Sequence, residues 1–150
     1  MVSRRPLRAP VGMVADGWQA DGPRRRDAPA SRTIRAMSAD CLFCKMASGA
    51  IPVPKLHEDE HVFAIRDINP QAPTHVLVIP QAHVASAAEL TDADAAMLGR
   101  LFAVAAEIAR RDGLEDGWRA VTNVGPDAGQ SVAHLHVHLL GGRPMSWPPG

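Results

Sequence analysis

His134-Leu135-His136-Val137-His138-Leu139-Leu140 decides how the rest of this chain is read. Histidines alternate with apolar residues, the two-residue period of a strand with one face toward a core and the other toward something polar. A strand over 133–140 sends Leu135, Val137 and Leu139 inward and lines up the imidazoles of His134, His136 and His138 on the opposite face. Packing gives no reason to gather three histidines there. Chemistry does, because imidazole is both a nucleophile and a proton carrier near neutral pH. The competing reading is a half-exposed strand that merely happens to be rich in histidine.

Just upstream, Gly125, Gly129, Gln130 and Ser131 form a polar loop running into that strand. Free backbone N–H groups in such a loop can hold a phosphate, and the Ser131 hydroxyl adds a donor. Glycines are common in loops, so their weight here comes from their place beside the histidines.

Further out, Thr91 opens the clearest helix, with Asp94 three positions on in capping-box fashion. Met97, Leu101, Val104 and Ile108 follow at helical spacing, Leu98 and Phe102 widen the stripe, and Arg110, Arg111 and Gly113 supply the stop. Trp118–Thr122 and His75–Ile79 read as strands, and Leu56 to Ile65 as a hairpin turning at Glu58–Glu60. Asp40 is placed to cap a short helix over Cys41–Met46, which Gly49 ends. Strands at both ends of one long helix, without regular βαβ alternation, predict an α+β domain. It combines a mostly antiparallel sheet with that helix and the short N-terminal one.

The chain has 150 residues, 46% apolar and 21% charged, which suits one soluble globular domain. No run approaches the roughly 20 apolar residues of a membrane span, and two cysteines do not make a disulfide scaffold. The net charge of zero conceals an asymmetry. Residues 1–36 carry eight arginines against three aspartates (+5), and residues 37–150 eight basic against thirteen acidic groups (−5). Bulk charge therefore speaks against a nucleic-acid-binding surface on the folded part. With Arg24-Arg25-Arg26, four prolines and no periodicity, the first segment reads as a disordered basic extension over 1–39, or as upstream residues of a misplaced start before Met37. A secretory signal lacks its apolar stretch; an organelle transit peptide is the third reading, favoured by the arginines and disfavoured by Asp16, Asp21 and Asp27. The expectation is a cytoplasmic protein whose domain spans 40–150.

Cys41-Leu-Phe-Cys44 has the C-x2-C spacing of half a tetrahedral zinc site. His83 and His134 complete a Cys2His2 set if the fold brings them together; otherwise these are two reduced thiols packed in a small helix.

The stretch 134–140 resembles the histidine triad (HIT) signature, in which histidines alternate with apolar residues. Asp67-Ile-Asn-Pro-Gln-Ala-Pro-Thr-His75, Gly129-Gln-Ser131 and Gly141-Gly-Arg-Pro-Met-Ser-Trp-Pro-Pro-Gly150 resemble its Hint branch in particular, so the likeness covers about residues 40–150. It implies a HIT-like fold and a homodimer with sheets joined across it. It also implies purine nucleoside phosphoramidate hydrolysis through a nucleotidyl-histidine intermediate, with no cofactor for catalysis. By position, the resemblance makes His136 the nucleophile and puts His138, His75 and Ser131 around the phosphate. It likewise gives Asp67 the ribose hydroxyls, Ile68 the base, and Asn123, Gly129 and Gln130 the phosphate loop. Many bacterial members carry the Cys41/Cys44/His83/His134 arrangement, which implies a structural zinc and takes His134 out of catalysis. Duller readings stand beside these: Asp67 capping its own turn, Asn123 satisfying loop backbone, His75 a buried strand residue. Two departures stand out. Ala133 replaces a tyrosine and Arg66 a histidine of the animal Hint proteins. The alternatives are a Fhit-like dinucleoside polyphosphate hydrolase, against which the Trp147-Pro-Pro-Gly150 ending argues, and a nucleotide-binding adaptor.

Overall fold

A computed structural model describes residues 37–149 of the chain. The expectations for residues 1–36 lie outside the described residues. The elements run α1 (Leu42–Ala47), β1 (Lys55–Glu58), β2 (Val62–Arg66), β3 (Thr74–Pro80), α2 (Ala95–Arg111), β4 (Trp118–Val121) and β5 (Val137–Gly141). The five strands form one antiparallel sheet in the order β1-β2-β3-β5-β4, with β3 at its centre and β1 and β4 at its edges. This is the α+β architecture expected, with one long and one short helix.

The sheet is covered on both faces, and the two-residue period sorts its side chains between them. Val62, Ala64, Val76, Val78, Val137 and Leu139 pack with Leu101, Val104, Ala105, Ile108 and Ala109 of α2. Phe63, Ile65, Leu77 and Ile79 face the other way, where Phe43 of α1, Met46, Val53 and Val132 close over them. All seven residues of β3 are buried as a result. By the same alternation His75 and His138 belong to the α1 face. The register pairs Leu77 with His138 and His75 with Leu140, so the two imidazoles are diagonal neighbours across β3 and β5.

Three expectations need correcting. The histidine strand begins at Val137 rather than 133, because Leu135 N–H bonds to Val84 O (2.6 Å) rather than to a strand neighbour, so His134 and His136 lie on an irregular lead-in. Alternation survives there without the ladder: Leu135, Val137 and Leu139 are buried in the α2 core as expected. The cap of α1 is Cys41 instead of Asp40. Phe102 stays 50% exposed, because its flank of α2 is not the one turned to the sheet. The expected capping box forms, with the Asp94 carboxylate accepting from the N–H (2.9 Å) and hydroxyl (3.0 Å) of Thr91. It caps a 3-10 turn over Asp92–Asp94, however, and α2 itself starts at Ala95 with Asp94 in its cap position. No helix among the described residues is long and apolar enough to cross a membrane.

Candidate active site and metal centre

Four of the seven histidines meet on the α1 face, and hydrogen bonds fix what each ring can do. Nδ1 of His136 lies 2.7 Å from His134 O. A carbonyl can only accept, so Nδ1 carries the proton and Nε2 is left with its lone pair. The Thr122 hydroxyl, one residue past β4, donates to His136 O (2.9 Å) and holds the same backbone. The Gln71 N–H donates to Nδ1 of His75 (3.1 Å), which places the proton of a neutral His75 on Nε2. That Nε2–H faces Nδ1 of His138 at 2.9 Å, so His138 in turn holds its proton on Nε2. Nε2 of His138 is buried and has no partner among the described residues. One backbone amide thus sets the tautomers of two imidazoles in series, and the series ends in an unused donor.

His136 and His138 line a pocket shared by Asp67, Ile68, Ser131 and Val132, with Leu42, Phe43 and Met46 of α1 as an apolar wall, and His75 stands behind His138. Burial holds His138 down to about 4, helped by the proximity of His136 and His75 and opposed by Asp67. Burial also lowers His75, again against the pull of Asp67. Both rings are therefore neutral at pH 7, as the tautomer argument requires. For His138 the unfolded chain, with an ordinary value of 6.5, binds the proton first as pH falls. Its contribution to stability is therefore whole above pH 6.5 and is lost progressively toward pH 4. Urea midpoints should fall across that window in the protein and fall less in His138→Gln. Equal falls in the two proteins place the acid sensitivity elsewhere.

The remaining expected residues divide. Asp67 caps its own turn, accepting from Asn69 N–H (2.8 Å), while its other oxygen sits 3.4 Å from Nε2 of His75. Ile68 is fully exposed at the pocket mouth. Ser131 is exposed beside the histidines, whereas Asn123 is not among the residues lining this pocket. The Gly129 and Gln130 N–H groups are spent inside the loop, on Pro126 O (2.9 Å) and Gly125 O (3.1 Å). Gln130 is a brace: it accepts from Gly125 N–H (3.0 Å) and donates to Ala85 O (2.7 Å) and Val132 O (2.9 Å). Gly129 supplies the left-handed turn (φ +79°) that lets the loop close on itself. Sequence reasoning missed the α1 wall and Thr122. Apolar residues in a short helix signal only packing, and a lone threonine after a strand signals nothing.

On the other side of His136, Cys41, Cys44, His83 and His134 bring four donor atoms within 4.8 Å of one another. Sγ of Cys41 is 3.3 Å and Sγ of Cys44 3.6 Å from Nδ1 of His134; Cys44 lies 3.4 Å from Nδ1 of His83, and the two Nδ1 atoms are 3.2 Å apart. Around a tetrahedral zinc, sulfur–nitrogen and nitrogen–nitrogen edges come out at about 3.5 and about 3.3 Å. The donor set fits. Nε2–H of His134 donates to Pro80 O (3.0 Å), which leaves Nδ1 free for the metal in the way ligating histidines are usually oriented. Burial pushes the Cys44 thiol above its ordinary value, so paired thiolates here call for a dication. Four protein ligands close the shell, which makes the centre structural.

The HIT domain pattern matches residues 48–145. The chain belongs to the HIT family. Among its relatives is the 14 kDa zinc-binding protein of Zea mays, 50% identical over 111 residues, covering 73% of this chain and 87% of that one. The HIT family hydrolase of Legionella pneumophila has a similar structure (TM-score 0.72, 49% identity, 74% of this chain and 100% of that one). The histidine triad nucleotide-binding protein of Candida albicans is more distant, at TM-score 0.62 and 31% identity over 72% of this chain and 82% of that one. The HIT fold accounts for the order of elements found.

Proposed function

We propose that this HIT protein is a cytoplasmic hydrolase of purine nucleoside phosphoramidates that works through a nucleotidyl-His136 intermediate. The observation that carries this reading is the orientation of His136, with Nδ1–H tied to His134 O and Nε2 free in a ring that lines the pocket. Relatives named as a hydrolase and as a nucleotide-binding protein support it. Nε2 of His136 attacks the α-phosphorus, a P–N bond to the ring forms, and the P–N bond to the amine breaks. The departing amine needs one proton, which His138 supplies as an imidazolium after taking that proton up with the anionic substrate, with the Ser131 hydroxyl beside the phosphate. Water then attacks the phosphorus, returns a proton to His138 and releases the monophosphate and free His136. Splitting one displacement into two is covalent catalysis, and the side chains alone supply it. The exposed Ile68 covers the base and Asp67 takes the ribose, with Asn123, Gly129 and Gln130 shaping the loop around the phosphate.

Zinc at Cys41, Cys44, His83 and His134 fits both the donor geometry and the zinc-binding name of the maize relative. Mass spectrometry of protein quenched during turnover of an adenosine phosphoramidate should show one nucleotidyl adduct on His136. Turnover with no adduct at any stage overturns the covalent route.

The same reading includes a homodimer. β4 is a sheet edge carrying the exposed Trp118, with Phe102 exposed on α2. Pairing β4 with its copy covers that edge and joins two sheets about a twofold axis. Trp147 is 85% exposed and followed by two prolines, which suits a stiff arm reaching the partner's leaving-group side. Truncation after Met145 should change relative kcat/KM among amine leaving groups and barely move affinity for the monophosphate. An unchanged leaving-group profile, or a monomer by light scattering, rejects this arm.

A further inference from the structure

We propose that the Cys41/Cys44/His83/His134 centre positions His136 and the pocket wall, so that metal and nucleotide strengthen each other's binding; the inference rests on the nucleotide reading of the pocket. Three physical connections join the two sites.

The first is His134 itself. Its ring belongs to the centre, and its carbonyl oxygen, in the same residue, receives Nδ1–H of His136 at 2.7 Å. Whatever fixes the ring fixes the acceptor that sets the tautomer and aim of His136. His134 is thus a positioning residue.

The second is α1. A helix of six residues cannot hold itself, and this one has no side-chain cap at its start. Its place depends on what anchors it. Cys41 and Cys44 bracket Leu42 and Phe43, both of which line the pocket. Phe43 stands edge-on to His136 (ring centroids 5.3 Å apart) and to His134 (5.8 Å), touching both sites at once.

The third is the segment 131–135. Ser131 and Val132 line the pocket and also the cleft beside Cys41 and His83. Leu135 N–H bonds to Val84 O, next to His83. With the centre filled, α1, the 80–84 segment and the lead-in to β5 are pinned to one point. With it empty, the wall and the nucleophile's acceptor are released together, and a shift of about 1 Å in reacting groups costs on the order of 10²-fold in rate. A metal that only stapled the fold would be blind to the pocket.

Linkage makes this testable in both directions, because a coupling factor must be the same for either ligand. In protein loaded with zinc, saturating adenosine 5′-monophosphate should raise the chelator concentration that removes half the metal by about fivefold or more. Stripping the metal should weaken monophosphate affinity by the same factor. In cobalt-substituted protein the monophosphate should shift the cobalt absorption bands, a signature a staple would not give. Phe43→Ala keeps all four ligands and should reduce the coupling to below about twofold. Identical chelator curves and an unmoved cobalt spectrum with monophosphate bound overturn the proposal. Full coupling in Phe43→Ala overturns the α1 route. Failure of the loaded protein to bind the monophosphate at all overturns the nucleotide reading and this inference with it. The chelator and cobalt measurements use only folded, loaded protein, so they decide even if the stripped chain unfolds.

Discussion

Replacing His136 with alanine is expected to lower kcat by about four orders of magnitude or more, equivalent to about 5.5 kcal/mol of transition-state stabilisation. Affinity for the nucleoside monophosphate should stay within about tenfold, because the Nε2 lone pair is used in forming a bond to phosphorus and little in holding the product. The substitution also removes a ring that Phe43 packs against, so part of any binding change is lost packing. Steady-state kinetics alongside calorimetric titration of the monophosphate separate the two effects. Near-normal turnover of His136→Ala removes this residue from the chemistry and returns the question to His138, the second histidine lining the pocket.

The second large effect concerns the metal. Purified from zinc-replete cells, the protein should hold about one zinc per chain, and Cys41→Ser should lose it. A ligand present at about 1,000 times its dissociation constant contributes about 4 kcal/mol to the folded state, so the melting temperature should drop by about ten degrees or more. Cys44→Ser should behave alike, since its sulfur lies within 3.6 Å of both histidine donors. Elemental analysis finding no zinc under non-chelating conditions, with melting unchanged in Cys41→Ser, restores the reading of two packed thiols.

How much of this is legible in the sequence depends on whether the signal is local. The period of 134–140 shows in the residues themselves, and the burial of Leu135, Val137 and Leu139 follows from it even where the strand does not. The hairpin, the central strand and the long helix carry complete local patterns, and they stand within a residue or a few of where those patterns put them. Phe102 shows where local reading ends. The stripe on α2 is wide enough to bury either flank, and only the position of the sheet decides which one is covered. Asp40 fails for a similar reason. It is a good cap by type, but Cys41 occupies the cap position of α1 and is held among Cys44 and His134. In the site, the residue types were readable and their employment was not. Gln130 looks like a phosphate contact and is a three-way brace, because its partners Gly125, Ala85 and Val132 converge only in the folded chain. The metal centre joins residues 41, 44, 83 and 134, and half of it had no local spacing to announce it.

The alternation along β3 has a consequence for quality control of the protein. Val76 and Val78 belong to the hydrophobic interior, while His75 and Leu77 belong to the side where the pocket sits. Slipping this strand by one residue against β2 or β5 exchanges those sets, burying an imidazole among aliphatic groups at the moment it removes it from the site. Such a chain has lost its interior as well as its chemistry. There is accordingly no folded, silent impostor one residue out of step. A preparation should contain competent molecules and unfolded ones, and titratable active sites should track the folded fraction through expression, storage and refolding.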